Sequence, residues 1–260
     1  MRLHHVRRGS GKRLLLIHGL GGTWRSWDPI VEALAHEREV IAVDLPGFGA
    51  TPPLTGEVSI ATLTDAVAAF IDEQGLAGVD TVGHSMGGQM VLELARRGVG
   101  GSTVALGPSG FWHPGQQRVI GISFRASVKL VRALRPALPL LTGNPVTRTL
   151  LLAQLSTRPW ALSRELALRE LRGFATASSF DDALDALIDS PVQRGAPSGS
   201  TPGAVVIGWG RQDRVSFPSQ ASNATMLFPG ARLHWFDHCG HFPHWDAPEE
   251  ALRLILASTA

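Results

Sequence analysis

An α/β fold, with a mostly parallel central sheet flanked by helices and one helical insertion, is what this sequence predicts. Three observations predict it. Short apolar runs alternate with amphipathic helical patterns along most of the chain, the signature of βα units. Those runs are almost continuously apolar, as in strands covered on both faces. The alternation then stops between Phe111 and about Pro202, where only helical patterns occur. At 260 residues, with 44% hydrophobic content, the chain can bury the core of one large domain.

The elements follow in order. Residues before Arg13 suit a small antiparallel hairpin turning at Gly9-Ser10-Gly11. Arg13–Ile17 is the first core strand, followed by the loop His18-Gly19-Leu20-Gly21-Gly22 and a helix over 28–36. A second strand, 40–44, runs into Asp44-Leu45-Pro46-Gly47-Phe48-Gly49. The helix over 60–74 carries Leu63, Val67, Phe70 and Ile71 at i, i+4, i+7 and i+8, a stripe that faces a sheet. The strand 79–82 leads through Gly83-His84-Ser85-Met86-Gly87-Gly88 into a helix over 86–97, and Thr103–Leu106 is the next strand.

Residues 111–202 read as helices over 120–134, 146–155, 161–174 and 180–188, punctuated by prolines at 114, 136, 139, 145, 159 and 191, with a Gly/Pro/Ser-rich return loop at 194–203. Strands at 204–209 and Arg232–Phe236 resume the alternation. A helix over 249–257 closes it, with Pro248 at a first-turn position. The expected division is a core of 1–110 and 203–260, with 111–202 forming a helical lid.

The chemistry centres on Gly83–Gly88. A serine between two spaced glycines, at a strand-to-helix turn, matches a nucleophile elbow. The turn is too tight for Cβ atoms at Gly83 and Gly87. A serine hydroxyl needs a base, which histidine supplies near neutral pH, and the imidazole needs a carboxylate to orient it. Asp213, just past the strand 204–209, is the candidate acid, preferred over Asp237. His241, beyond Arg232–Phe236 and freed to turn by Gly240, is the candidate base, preferred over His238 and His244. An oxyanion requires two backbone N–H donors, assigned to Met86 and Leu20. Trp24, Phe111, Trp112 and Phe242 lie beside these loops as candidate pocket residues.

Four blocks together carry a resemblance: His18–Gly22, Asp44–Gly49, Gly83–Gly88, and Gly210–Asp213 joined with Gly240–Glu249. The chain resembles the α/β-hydrolase superfamily, in its lid-bearing esterase, lipase and C–C hydrolase branch. The resemblance spans nearly the whole chain, with Ser, Asp and His in the family's order. It implies a serine hydrolase that cleaves a small, apolar carboxylic ester through an acyl-enzyme, and makes Asp44 to Gly49 a structural turn. Haloalkane dehalogenases and epoxide hydrolases place Asp where Ser85 stands, which argues against both. Meta-cleavage C–C hydrolysis, with a lid arginine gripping a carboxylate, and cofactor-free perhydrolase or haloperoxidase activity stay open. So does a non-enzymatic binding or signalling role.

Composition excludes other classes. The net charge is +2, with no block of consecutive basic residues, which argues against nucleic acid. The basic residues of 111–202 read as solvated helix faces, the alternative being an anionic-substrate patch. No P-loop, dinucleotide or zinc pattern occurs, so the expected reaction needs no cofactor and no metal. Leu14–Ile17 is far too short for a membrane span and the N-terminus lacks a signal-peptide core, which predicts a cytoplasmic protein. Cys239 is the only cysteine, a target for thiol reagents without a part in the chemistry.

Overall fold

A computed structural model describes residues 2–259. Its frame is a seven-stranded sheet in the order β1-β3-β2-β4-β5-β6-β7. The strands are β1 (His5–Arg8), β2 (Arg13–Ile17), β3 (Glu39–Val43), β4 (Asp80–His84), β5 (Thr103–Leu106), β6 (Val205–Gly210) and β7 (Arg232–Phe236). All neighbouring pairs are parallel except β1 with β3. β2 explains the layering. Leu15 and Ile17 point into one apolar layer, Leu14 and Leu16 into the other, and all four are fully buried.

Helices cover both faces. α1 (Asp28–Ala35) follows a 3₁₀ turn at Trp24–Trp27 and packs with the C-terminal α11 (Pro248–Ser258) on one face. α2 (Ile60–Glu73) and α3 (Met86–Arg96) cover the other. The stripe Leu63, Val67, Phe70 and Ile71 of α2 is buried, as its spacing predicts. Ser59 starts α2 with a capping box. Between β5 and β6 lie α4 (Gln116–Ala133), α5 (Leu138–Leu141), α6 (Pro145–Leu152), α7 (Arg164–Thr176) and α8 (Phe180–Asp189), with no strand among them. α9 (Ala221–Leu227) precedes β7, and the short α10 (Pro243–Asp246) precedes α11. Among the described residues no helix is long and apolar enough to cross a membrane.

One expectation is corrected. The N-terminal hairpin does not form: β1 pairs antiparallel with β3, not with β2. Both edges of β2 are taken by parallel partners, β3 and β4. The strand whose residues Leu14 to Ile17 are apolar and buried lies inside the sheet, and the half-exposed β1 is left at the edge.

The connection after β2 runs to one side of the sheet and the connection after β4 to the other. Open α/β sheets place their ligands at the carboxyl ends of strands beside such a reversal. The loops after β2 and β4 flank it here.

Candidate active site

Ser85 follows β4 directly and has φ 54° and ψ −115°. It is the only non-glycine with positive φ among the described residues. Such strain persists only where the surroundings enforce it. A Cβ on Gly83 would sit 2.1 Å from the Gly87 carbonyl oxygen, and one on Gly87 2.3 Å from that of Ile17. Both glycines are therefore required to bring the turn against β2. Ser85 immediately precedes Met86, the first residue of α3, whose N–H has no acceptor within the helix.

The turn delivers Ser85 to His241. Its Oγ lies 2.9 Å from His241 Nε2, and His241 Nδ1 lies 2.9 Å from Asp213 Oδ2. A carboxylate only accepts, so Nδ1 carries the proton and Nε2 accepts from the serine hydroxyl. Asp213 Oδ1 accepts from the N–H groups of Val215, at 2.8 Å, and Ser216, at 2.9 Å. All three side chains are buried.

The backbone of His241 is clamped as well. Its N–H donates to the Leu155 carbonyl at 2.9 Å. Its carbonyl accepts from His84 Nε2 at 2.9 Å, so that nitrogen bears the His84 proton. Burial holds the His84 pKa well below the ordinary histidine value, assisted by His241 and His244 nearby, and keeps the ring neutral. Asp246 ties the neighbouring loop to the segment after α6. Its carboxylate accepts from Gly240 N at 2.7 Å, Ser156 Oγ at 2.5 Å and Thr157 N at 3.0 Å.

Opposite Ser85 stands the His18–Gly22 loop. A Cβ on Gly19 would be 3.1 Å from Ser85 Cβ, so glycine allows the close approach. His18 Nδ1 donates to the Gly19 carbonyl at 2.7 Å, and its Nε2 accepts from Leu45 N at 3.0 Å. Asp44 accepts from Trp24 N at 2.8 Å, Ala50 N at 3.0 Å and His4 Nδ1 at 2.8 Å. Asp44 to Gly49 thus braces the loop and does not reach the Ser85 cavity.

That cavity holds only about 30 Å³, room for about one or two waters. Leu20, Trp112 and Phe242 line it beside Ser85 and His241. Trp24 and Phe111 do not. Trp24 belongs to the other face of the sheet, with the Arg25 guanidinium 4.3 Å from its ring. Phe111 packs against Trp209 and Phe228, each with centroids 6.2 Å away. Asp237 is exposed and pairs with Arg211, while His244 stacks on Trp27. Cys239 is buried and burial pushes its thiol pKa up, so the expected sensitivity to thiol reagents is corrected: the group is out of reach.

No lysine or arginine lines the cavity. Arg125 and Arg132 pair with Asp185 and Asp181, Arg169 pairs with Asp28, and Arg148 is buried on three backbone carbonyls. Much of the remaining wall was not anticipated from sequence. It includes Ile120 and Phe124 of α4, Phe174 of α7, and Leu184 and Leu187 of α8. Their i, i+4 and i, i+3 spacings are legible as apolar stripes, but not which surface each stripe meets. Among the described residues no group of three or more His, Cys, Asp or Glu is placed to hold a metal ion.

Residues 14–254 match the alpha/beta hydrolase family, and the chain belongs to that family. It is 30% identical, over 98% of its length, to the dihydrolipoyllysine-residue acetyltransferase component of acetoin cleaving system of Cupriavidus necator, and spans 66% of that protein. It is 26% identical, over 97% of its length, to the 2-hydroxy-6-oxo-2,4-heptadienoate hydrolase of Pseudomonas putida, spanning 90% of it. Among solved structures, a thermophilic esterase from Thermogutta terrifontis superposes with a TM-score of 0.76 at 20% identity. That match covers 98% of this chain and 92% of the esterase, and shows the shared fold.

Proposed function

We propose that the protein is a cytoplasmic serine hydrolase of small, neutral carboxylic esters, acting through an acyl-enzyme with residues 111–202 as its lid. The observation that carries this reading is the relay from Ser85 to His241 to Asp213, with both links at 2.9 Å. Ser85 Oγ attacks the ester carbonyl carbon while His241 Nε2 takes its proton. Asp213 stabilises the imidazolium, and its own charge is held by the Val215 and Ser216 N–H groups. The N–H groups of Leu20 and Met86 receive the oxyanion. Nε2 returns the proton to the departing alcohol. Water then attacks the acyl-enzyme by the same route and frees the acid and Ser85.

The cavity's apolar lining supports a neutral substrate, since an unpaired carboxylate there would lose its hydration uncompensated. At about 30 Å³ the cavity is smaller than an ester, so the lid helices part to admit the substrate. C–C hydrolysis of an acidic dienol is the second reading, favoured by the likeness to the Pseudomonas putida hydrolase. The lack of a cationic side chain in the cavity ranks it lower.

An ester panel of graded chain length, run beside Ser85→Ala, tests the proposal. The variant is expected to lose turnover by about 10⁴-fold or more. Hydrolysis undiminished in Ser85→Ala would discard the mechanism.

A further inference from the structure

Trp112, which lines the cavity beside Ser85, carries a hydrogen-bond donor that nothing in the protein satisfies. The residue is 4% exposed, and its indole Nε1–H is buried without an acceptor. The other polar side chains of the wall are engaged. The Ser109 hydroxyl donates to Gln89 Oε1 at 2.9 Å and the Ser216 hydroxyl to the Gly107 carbonyl at 3.2 Å. Ser85 and His241 bond to each other, and His84 Nε2 donates to the His241 carbonyl. His84 Nδ1 also lacks a partner, but it lies against Gly19, where a Cβ would come within 3.0 Å of it.

An indole N–H can donate but never accept. Buried and unpaired by any protein group, it carries a desolvation penalty wherever nothing else accepts from it. A plain hydrocarbon chain entering the cavity leaves that penalty in place. A chain with an acceptor oxygen removes it. We infer that Trp112 is a specificity-determining residue, and that the preferred substrate is an uncharged ester bearing a second acceptor oxygen, a ketone, ether or hydroxyl, which accepts from its indole N–H. This rests on the ester-hydrolase reading of the same cavity and narrows it. The ester carbonyl oxygen is not that acceptor, because the Leu20 and Met86 amides receive it. A site that hydrogen-bonds a substrate group discriminates against the analogue lacking it, because its own buried group is then left unpaired.

Isosteric substrate pairs provide the test. One pair differs on the acyl side, 4-nitrophenyl methoxyacetate against 4-nitrophenyl butanoate. The other differs on the alcohol side, 2-methoxyethyl acetate against butyl acetate. The readout is the kcat/KM ratio of the oxygenated to the hydrocarbon member, measured in wild type and in Trp112→Phe. Dividing the two ratios cancels the intrinsic reactivity of each ester. For at least one pair the wild-type ratio is expected to exceed the variant ratio by on the order of tenfold. Replacing Trp112 with benzothienylalanine, which keeps the ring shape and removes only the N–H, guards against a repacking effect and is expected to give the same loss. Ratios unchanged within about twofold for both pairs in both variants would overturn the assignment. If Ser85→Ala is inactive while those ratios stay unchanged, the hydrolase reading stands and the Trp112 assignment falls. Ser85-independent turnover, or no turnover of any of the four esters, sinks both.

Discussion

Glu170 offers the sharpest test of the energetics. It lies on α7, is 2% exposed, and accepts from Ser26 Oγ at 2.9 and 3.1 Å across 144 residues of sequence. Burial pushes its carboxyl pKa up to about 7 from the ordinary 4.5, against the opposing pull of the Ser26 hydroxyl and Arg169; Asp28 adds to the rise. A carboxyl whose folded pKa is raised stabilises the fold fully below its unfolded value. That stability is lost as pH rises through the folded value. The gap from 4.5 to about 7, at about 1.4 kcal/mol per pH unit, amounts to about 3 kcal/mol over the whole window. Between about pH 5.5 and about pH 8.5 the loss is about 2 kcal/mol.

Glu170→Gln removes this titration. It also buries an amide N–H₂ in place of a carboxyl oxygen, which costs about 1–3 kcal/mol at every pH. The diagnostic quantity is therefore the slope of the difference, not its offset. Urea unfolding of wild type and variant across that pH range should show the variant gaining about 2 kcal/mol on wild type as pH rises. The buried His18, His84 and His244, with pKa values lowered by desolvation, titrate in the opposite sense. They do so in both proteins and cancel from the difference. A difference curve flat to within about 0.5 kcal/mol would refute the burial argument for Glu170.

Asp213→Asn should keep the fold but lower kcat by about 10⁴-fold, because the amide no longer holds the Nδ1–H tautomer, as a pH–rate profile beside thermal unfolding would register. Gly173→Ala is a probe of the contact between α7 and the loop opposite Ser85. An added Cβ would lie 2.0 Å from the Gly21 carbonyl oxygen, so the loop must shift. Turnover should fall by about 10²-fold although alanine is the better helix former, and a variant as active as wild type would show the loop to be tolerant. Asp246→Ala releases four donors, Gly240 N, Ser156 Oγ, and the N–H and hydroxyl of Thr157. Stability should drop by about 3 kcal/mol or more in urea, with kcat falling further than that loss alone explains at temperatures where the protein stays folded.

Much of the sheet was legible because central strands must be apolar on both faces. The elbow was legible because only glycine fits at 83 and 87. Asp213 and His241 were legible because each lies a few residues beyond a predicted strand, which places it at the sheet's carboxyl edge. Trp24 and Phe111 were misplaced for a shared reason. Both are large apolar residues next to site loops, and sequence proximity says nothing about which side of the sheet a side chain enters. Asp246 reads in sequence as an ordinary helix-end carboxylate. Its partners at 156 and 157 lie 89 or 90 residues away, and no local pattern links them.

The sequence by itself determined the chemistry on offer: a serine at a strained turn, a histidine and a carboxylate in workable positions, and an α/β fold to carry them. These are local matters, set by backbone sterics and by the two-residue and 3.6-residue periods of burial. Only the tertiary structure decided what surrounds the serine. It brought α4, α7 and α8 over Ser85, closed the cavity to about 30 Å³, kept every arginine out of its wall, and left the N–H of Trp112, one of its lining residues, without a protein partner. Those outcomes depend on packing between residues far apart in the chain, where an amphipathic stripe records that it will be buried but not against what.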